Sequence, residues 1–380
     1  MENTKCKYAA KCGGCDLQGL EYSRQLDRKN KYMRENFARF GKVLPIIGME
    51  NPLAYRCKAT ATFSFLKSGQ YISGVYEKNS HRVVNVDNCM IVDERANAII
   101  LTIRSLLKSF KIKTYNEDTG YGLLRHVQIR VGKNTGQILV SLVCSNPTFP
   151  GKNNFVKALR EKHPDITSIV LNINDKKTSM VMGSRNIVLY GKGYIEDELC
   201  GLRFRISPTA FYQVNPVQTK TLYEKAIEYA GLTGEETVFD AYCGTGTIGL
   251  IASKQAKNVI SVELNSDAVK DAIANAKING IRNVRFYQGD ATRFMVDMAA
   301  DKAKVDVVFM DPPRTGSTKE FINAVNSLNP KRVVYVSCGP ESLVKDLEQF
   351  RKKGYSITKI QPIDCFPYTE HIESCVLLSR

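Results

Sequence analysis

The sequence predicts an α/β protein in two parts: a doubly wound parallel sheet over residues 206–380, preceded by an α+β domain over residues 1–205. Three observations carry this. From Thr237 onward, short β-branched runs alternate with amphipathic helical patterns, as in a parallel sheet covered by helices on both faces. The first of these runs leads into Asp240-Ala-Tyr-Cys-Gly-Thr-Gly-Thr-Ile-Gly249, which reads as a strand, a tight glycine turn and a helix start. Between about Val43 and Phe204 the texture is instead one of short strands broken by turns such as Lys133-Asn-Thr-Gly136 and Asn146-Pro-Thr-Phe-Pro-Gly151.

The totals set the class. Hydrophobic content of 43% and charged content of 24% are globular values, enough for two cores in 380 residues. No run of about 18 apolar residues and no export signal is present, which predicts a soluble cytoplasmic protein with no membrane partner. A net charge of +16 favours a polyanionic partner, RNA or DNA, over an acidic small molecule. Eleven cysteines without an export signal point to ligands or a nucleophile rather than disulfides.

Taken in order, Cys6, Cys12 and Cys15 form a C-x5-C-x2-C group around Gly13-Gly14. A metal or cluster site takes four thiolates, and both zinc and a [4Fe–4S] cluster suit the spacing. Cys89, in a turn after the strand-like run Arg82–Val86, is the preferred fourth ligand; Cys57 alternates within a strand and reads as a small core residue. Glu21–Phe40 reads as a helix with Tyr22, Leu26, Met33, Phe37 and Phe40 on one side. Its Arg24, Arg28, Lys31 and Arg34 form either a solvated face or an RNA-facing one. Strands at Lys58–Leu66, Gln70–Glu77, His126–Val131, Gln137–Val143 and Ser168–Asn172, with helices near Asn88–Lys108 and Asn153–His163, suggest an antiparallel sheet. The connector Ile206–Pro216 is either a linker or a source of ligand contacts through Gln213 and Asn215.

The second part carries the chemistry. Gly244, Gly246 and Gly249 alone do not separate a dinucleotide site from a methyl-donor site. Predicted strands at Asn258–Glu263, Val284–Gln288, Val305–Met310, Arg332–Ser337 and Ser356–Pro362 place acidic residues at their carboxyl ends, where ligands of such sheets bind. Glu263 suits ribose hydroxyls; Asp290 suits either an adenine amino group or a helix cap. Asp311-Pro-Pro-Arg314 then favours S-adenosylmethionine, because rigid prolines there shape a slot for a planar base. Cys338 ends a strand beside a helix start, a setting that favours thiolate. Uracil carbon-5 is a poor nucleophile until a thiolate adds to carbon-6, so a cysteine here suits 5-methylation. Glu373, entering an apolar closing strand, is either the base such chemistry needs or a surface strand residue.

These pieces together resemble the iron–sulfur-containing RNA uracil-5-methyltransferases, over essentially the whole chain. The matching segments are C-x5-C-x2-C with Cys89, Ser207-Pro208 with Phe211-Tyr-Gln-Val-Asn215, Asp240–Gly246, Asp311–Arg314, Ser337-Cys-Gly339 and His371-Ile-Glu373. The resemblance implies a [4Fe–4S] cluster on Cys6, Cys12, Cys15 and Cys89, Cys338 as nucleophile and Glu373 as base. It also implies S-adenosylmethionine contacts from Gln213, Tyr242, Glu263, Asp290 and Asp311. The five residues before Cys6 are too short for the small N-terminal RNA-binding β-barrel (TRAM domain) of many relatives. Members without it modify 23S rRNA or the T-loop uridine of tRNA, and the cysteine group favours 23S rRNA. The expectation is therefore a monomeric 23S rRNA uracil-5-methyltransferase, with tRNA as the other RNA partner. Two other classes remain: methylation of an exocyclic amino group, which needs no cysteine, and an RNA-binding iron–sulfur protein without transferase activity.

Overall fold

Two sheets divide the chain, each with core packing of its own. The computed structural model describes residues 5–77 and 80–380. In chain order the first elements are α1 (Tyr22–Phe37), β1 (Lys42–Val43), β2 (Lys58–Phe65), β3 (Tyr71–Tyr76), β4 (Val83–Asn85) and α2 (Glu94–Ser109). They continue with β5 (Leu124–Val131), β6 (Ile138–Cys144), α3 (Lys152–Lys162), β7 (Ile166–Ile173) and β8 (Arg185–Tyr190). Strands β2 to β8 form one sheet in the order β4-β3-β2-β5-β6-β7-β8. It is not wholly antiparallel as the sequence suggested: β6 and β7 run parallel, because α3 carries the chain back across the sheet between them.

Strand alternation gives this first sheet two unlike faces. Ala59, Ala61 and Phe63 of β2 enter a core with Ile99 and Ile103 of α2 and Phe155 and Leu159 of α3. The intervening Lys58, Thr60 and Thr62 turn to the other face, opposite Arg130, Gln128 and His126 of β5. That polar face is turned towards the second half of the chain.

A hairpin, β9 (Ile195–Leu199) and β10 (Leu202–Ile206), leads through α4 (Pro216–Ala230) into β11 (Thr237–Ala241) and α5 (Thr247–Ala252). Then follow β12 (Asn258–Glu263), α6 (Ser266–Ile278), β13 (Val284–Gln288), α7 (Ala291–Ala300), β14 (Val307–Met310) and α8 (Lys319–Leu328). The chain closes with β15 (Arg332–Ser337), α9 (Pro340–Lys352), β16 (Ser356–Ile363) and β17 (Glu373–Ser379). The second sheet has the order β1-β16-β17-β15-β14-β11-β12-β13. All neighbours are parallel except β17, which runs against β15 and β16.

Residues near the N-terminus complete this second sheet. Strand β1 pairs with β16 through Lys42↔Lys359, and α1 buries Met33 and Phe37 among residues of the C-terminal core such as Phe350 and Ile360. Residues 22–43 thus sit with the second sheet although they precede the first in the chain. Among the described residues no helix is long and apolar enough to cross a membrane.

Candidate active site

The strand order reverses at β11, whose neighbours are β12 and β14, and a crevice opens there at the carboxyl ends of the strands. The glycine turn after β11 shapes it. Tyr242 has φ 62 and Gly246 φ 81, both in the left-handed region. A Cβ on Gly246 would lie 2.9 Å from the Phe286 ring, so no other residue fits without a shift. Gly249 lets the helix approach the strand: its N–H donates to Asp240 Oδ2 at 2.9 Å, where a Cβ would come within 2.6 Å of the same oxygen. Glu263 anchors the turn from the next strand, accepting from the N–H groups of Gly244 at 3.0 Å and Asn265 at 2.8 Å.

Six of the sequence-predicted residues line one cavity of about 520 Å³: Gln213, Tyr242, Glu263, Asp311, Cys338 and Glu373. Tyr242, Glu263, Asp311 and Cys338 end or follow parallel strands; Glu373 begins the antiparallel β17, so it reaches the same edge from the opposite direction. The connector before α4 supplies Gln213. It is held by the polar face of the first sheet: Gln128 Nε2 donates to Pro208 O at 2.9 Å, Arg130 to Ala210 O, and Cys57 N to Val214 O at 2.7 Å.

Two expected contacts fall elsewhere. Asn215 is buried and spent on structure: its Nδ2 donates to Cys365 O at 2.9 Å and its Oδ1 accepts from Gln218 N, capping α4. Asp290 is exposed and caps α7 through Arg293 N at 2.9 Å; it does not line the cavity. Conversely, Arg56, Phe211 and Tyr223 line the cavity without having been singled out. Alternation along β2 signals nothing about Arg56, whose place depends on how the two sheets dock. A larger groove of about 1090 Å³ along α4 and the β9–β10 hairpin holds none of the predicted residues.

Two acids of the cavity are pushed towards their protonated forms. Burial, followed by the nearby Asp311, pushes the Glu373 carboxyl well above the usual carboxylate range, with Arg314 opposing the shift. Burial alone raises Asp311 to about 7. Burial also pushes the Cys338 thiol up to about 11, and Glu373 and Asp311 push it the same way. Desolvation and two carboxylates thus outweigh the start of α9 next door, and they favour the thiol over the expected thiolate. Cys338 and Arg314 also line a second, outer cleft of about 430 Å³ with Arg28, Tyr32 and His371. The nucleophile candidate thus stands where an inner and an outer space meet.

The four cysteines of the predicted cluster line a separate cavity of about 280 Å³. Burial raises the Cys15 thiol to about 11, and Cys89, Cys12 and Cys6 raise it further through their proximity. Asn97 fixes the Cys89 segment, accepting from Cys89 N at 3.2 Å and donating to Cys89 O at 3.0 Å. Arg56 and Lys58 also line the space. Cys57 is elsewhere, its thiol 3.5 Å from Gln213 O. Among the described residues no three His, Cys, Asp or Glu side chains form a group that would hold a metal ion.

A doubly wound sheet with a glycine turn at its reversal and a buried acidic cavity beyond its strand ends defines a methyltransferase fold that uses S-adenosylmethionine. The signature of the family described as tRNA (Uracil-5-)-methyltransferase matches residues 21–380, and the chain belongs to that family. An uncharacterized RNA methyltransferase of Caldanaerobacter subterraneus subsp. tengcongensis is 44% identical over 382 residues, covering 100% of this chain and 84% of that one. One from Listeria monocytogenes is 41% identical over 377 residues, covering 98% of this chain and 83% of that one. Among solved structures, the tRNA (uracil-54, C5)-methyltransferase of Pyrococcus abyssi in complex with S-adenosyl-L-homocysteine superposes with a TM-score of 0.81. It shares 27% identity and covers 96% of this chain and 86% of that chain. The protein is an S-adenosylmethionine-dependent RNA methyltransferase of the uracil-5 family.

Proposed function

We propose that this enzyme methylates carbon-5 of a uridine in 23S rRNA, with Cys338 as nucleophile and Glu373 as base. The observation that carries the reading is the single cavity in which Cys338 and Glu373 meet Gln213, Tyr242, Glu263 and Asp311. S-adenosylmethionine supplies an electrophilic methyl group on a cationic sulfur. Glu263 has both carboxylate oxygens anchored by backbone N–H groups, leaving further lone pairs for the ribose hydroxyls. Gln213, Tyr242 and Asp311 line the remainder of the donor space, while Asp290 caps α7 outside it.

The chemistry follows from the two reacting side chains. Ionised Cys338 adds through sulfur to uracil carbon-6, and the displaced electron pair becomes the enolate across carbon-5, carbon-4 and oxygen-4. Carbon-5 takes the methyl group and still carries its hydrogen. Glu373 removes that hydrogen as a proton; the electrons re-form the carbon-5–carbon-6 double bond and expel the Cys338 thiolate. A carboxylate of raised pKa is a suitably strong base for this step. A positive charge beside Cys338 and Glu373 favours their anionic forms, offsetting the burial that raises both pKa values.

Cys6, Cys12, Cys15 and Cys89 would hold a [4Fe–4S] cluster. A cluster needs four thiolates spread around a small core, each bound to its own iron, rather than three groups converging on one ion. One cavity lined by four thiols and flanked by Arg56 and Lys58, whose positive charges offset thiolates, suits that demand. The cluster would tie the N-terminal loop to the β4–α2 connection; no step of methyl transfer needs its electrons.

The cysteine group is what favours 23S rRNA in the resemblance, whereas the likeness to the Pyrococcus enzyme favours the T-loop of tRNA. RNA carrying 5-fluorouridine separates them, because fluorine at carbon-5 does not leave as a proton. Incubated with S-adenosylmethionine, the enzyme becomes attached to rRNA on a denaturing gel, and Cys338→Ala gives no such band. Attachment to tRNA alone reassigns the substrate. Methyl label entering RNA without any attached form overturns the mechanism.

A further inference from the structure

A further space, the third along one strand face after the catalytic and cysteine cavities, lies on the polar face of the first sheet; it is about 580 Å³ in volume and outside the chemistry described so far. Its walls gather two of the four histidines of the chain, His81 and His126, with Tyr76 between them. The Tyr76 ring centroid is 5.6 Å from that of His81, which is exposed, and 6.4 Å from that of His126, edge-on. His126 Nδ1 is engaged with Thr62 Oγ1 at 3.0 Å, while Nε2 lies 3.9 Å from a Glu117 carboxylate oxygen. Burial, then the neighbouring Arg125, lowers the His126 pKa to about 4, so the ring is neutral and keeps one donor and one acceptor. Lys177 closes the rim.

This space lies in line with the active site along a single strand face. Arg56, just ahead of β2, lines both the catalytic and the cysteine cavities; Lys58 lines the cysteine cavity; Thr60 lines that and the third space; Thr62 lines the third space. From residue 56 to residue 62 the strand advances about 20 Å, the reach of a few nucleotides of single strand. Lys5, Lys7 and Lys11 of the cysteine-bearing loop are exposed. Flat aromatic rings, polar edge groups and a rim cation are what an unstacked base and its phosphate require.

We propose that Tyr76, His81 and His126 form a second base-binding subsite, holding an unstacked base of the same RNA strand whose uridine enters the catalytic cavity. The proposal rests on the RNA reading above and extends it from the reacting base to a base a few nucleotides away. Tyr76 and His81 supply the stacking surface, and His126 offers its Nε2 edge to the base, while Glu117 is held in a bidentate pair with Arg125. Two bases held at the ends of one strand face would select a uridine by its neighbour as well as by itself.

The test uses the full chain with transcripts of 23S rRNA and of tRNA. Complexes trapped through 5-fluorouridine are irradiated with ultraviolet light, digested, and the RNA-bearing peptides mapped. RNA adducts on Tyr76, His81 or His126 are the expected result; adducts only at other surfaces of a trapped complex overturn the proposal. In parallel, Tyr76→Ala and the exposed-site variant His81→Ala are each expected to raise the KM for RNA about tenfold, leaving kcat and S-adenosylmethionine affinity unchanged. Unchanged RNA affinity in both variants overturns the subsite. Filter binding reads affinity apart from chemistry, so weakened binding without any trapping refutes the methylation reading and keeps the pocket.

Discussion

Cys338 and Glu373 reach one cavity from two neighbouring antiparallel strands: β15 and β17 pair as far as Ser337↔Ser374, Cys338 follows β15, and Glu373 opens β17, where it pairs with Ile363 of β16. A strand running against the rest of the sheet is what allows this. Had β17 been parallel to β15, its first residue would lie at the far edge, away from the nucleophile. The acid that must follow methyl transfer is thus placed by topology, beside the group it must release.

Because the proposed mechanism uses Glu373 only after the methyl group has moved, Glu373→Gln is expected to stall with RNA attached through Cys338. Release should slow by roughly 10²–10⁴-fold, the usual worth of a positioned base. A denaturing gel run after a single turnover reads this directly. Normal release by the glutamine variant would remove Glu373 from the mechanism.

Donor binding should expel protons. Asp311, raised to about 7 by burial, is about half protonated at neutral pH, and burial also raises Glu373 well above the usual carboxylate range. A positive charge in the cavity lowers both values, so protons leave on binding rather than enter. S-adenosylmethionine should therefore release more protons than S-adenosylhomocysteine, whose sulfur is neutral. Titration calorimetry at pH 7 in buffers of different ionisation enthalpy measures the difference. Equal release by the two ligands would show that the sulfur's charge does not act on these groups.

Much of the second sheet is legible in the sequence because parallel strands buried on both faces read as plain β-branched runs. Asn258–Glu263, Val284–Gln288 and Arg332–Ser337 appear with the predicted boundaries. The β9–β10 hairpin was missed although its turn is marked: Cys200 and Gly201 have φ 50 and 70, the two positive values of a tight hairpin turn. Strand β1 has only two residues and exists because β16 offers an edge, which no local pattern records. Glu373 was assigned by resemblance, since its neighbours do not tell a base from a surface residue. The raised pKa of Cys338 comes first from burial and then from Glu373 and Asp311, none of which its sequence neighbours record.

Lys29 is the clearest case of a residue whose role lies beyond its own helix. Within a run of basic residues it reads as solvated, yet it is 2% exposed and meets a fully buried Asp364 at 2.7 Å. Tyr22 donates to the other Asp364 oxygen at 2.8 Å. Together they pin α1 to the segment between β16 and β17, which leads directly to Glu373. Lys29→Met leaves the Asp364 charge buried with no cation, and is expected to cost roughly 3–5 kcal/mol. Denaturant midpoints compare the variant with the parent. A loss below about 0.5 kcal/mol would mean that α1 is held by Met33 and Phe37 alone.

The cysteines provide the last discrimination, because Cys57 and Cys89 lie in different surroundings despite their equal standing as thiols. Cys89 lines the cavity shared by Cys6, Cys12 and Cys15, while Cys57 is buried with its thiol towards Gln213 O. Each iron of a four-iron cluster needs its own thiolate, so losing one cavity thiol should cost the cluster, whereas losing Cys57 should leave it intact. Cys89→Ser is expected to lose the brown iron–sulfur absorbance of anaerobically purified protein, and Cys57→Ser to keep it. The opposite pattern would make Cys57 the fourth ligand and require the connector at Gln213 to move. Colourless parent protein, with no iron by elemental analysis, would leave the four thiols without a cluster and remove the argument that favours 23S rRNA over tRNA.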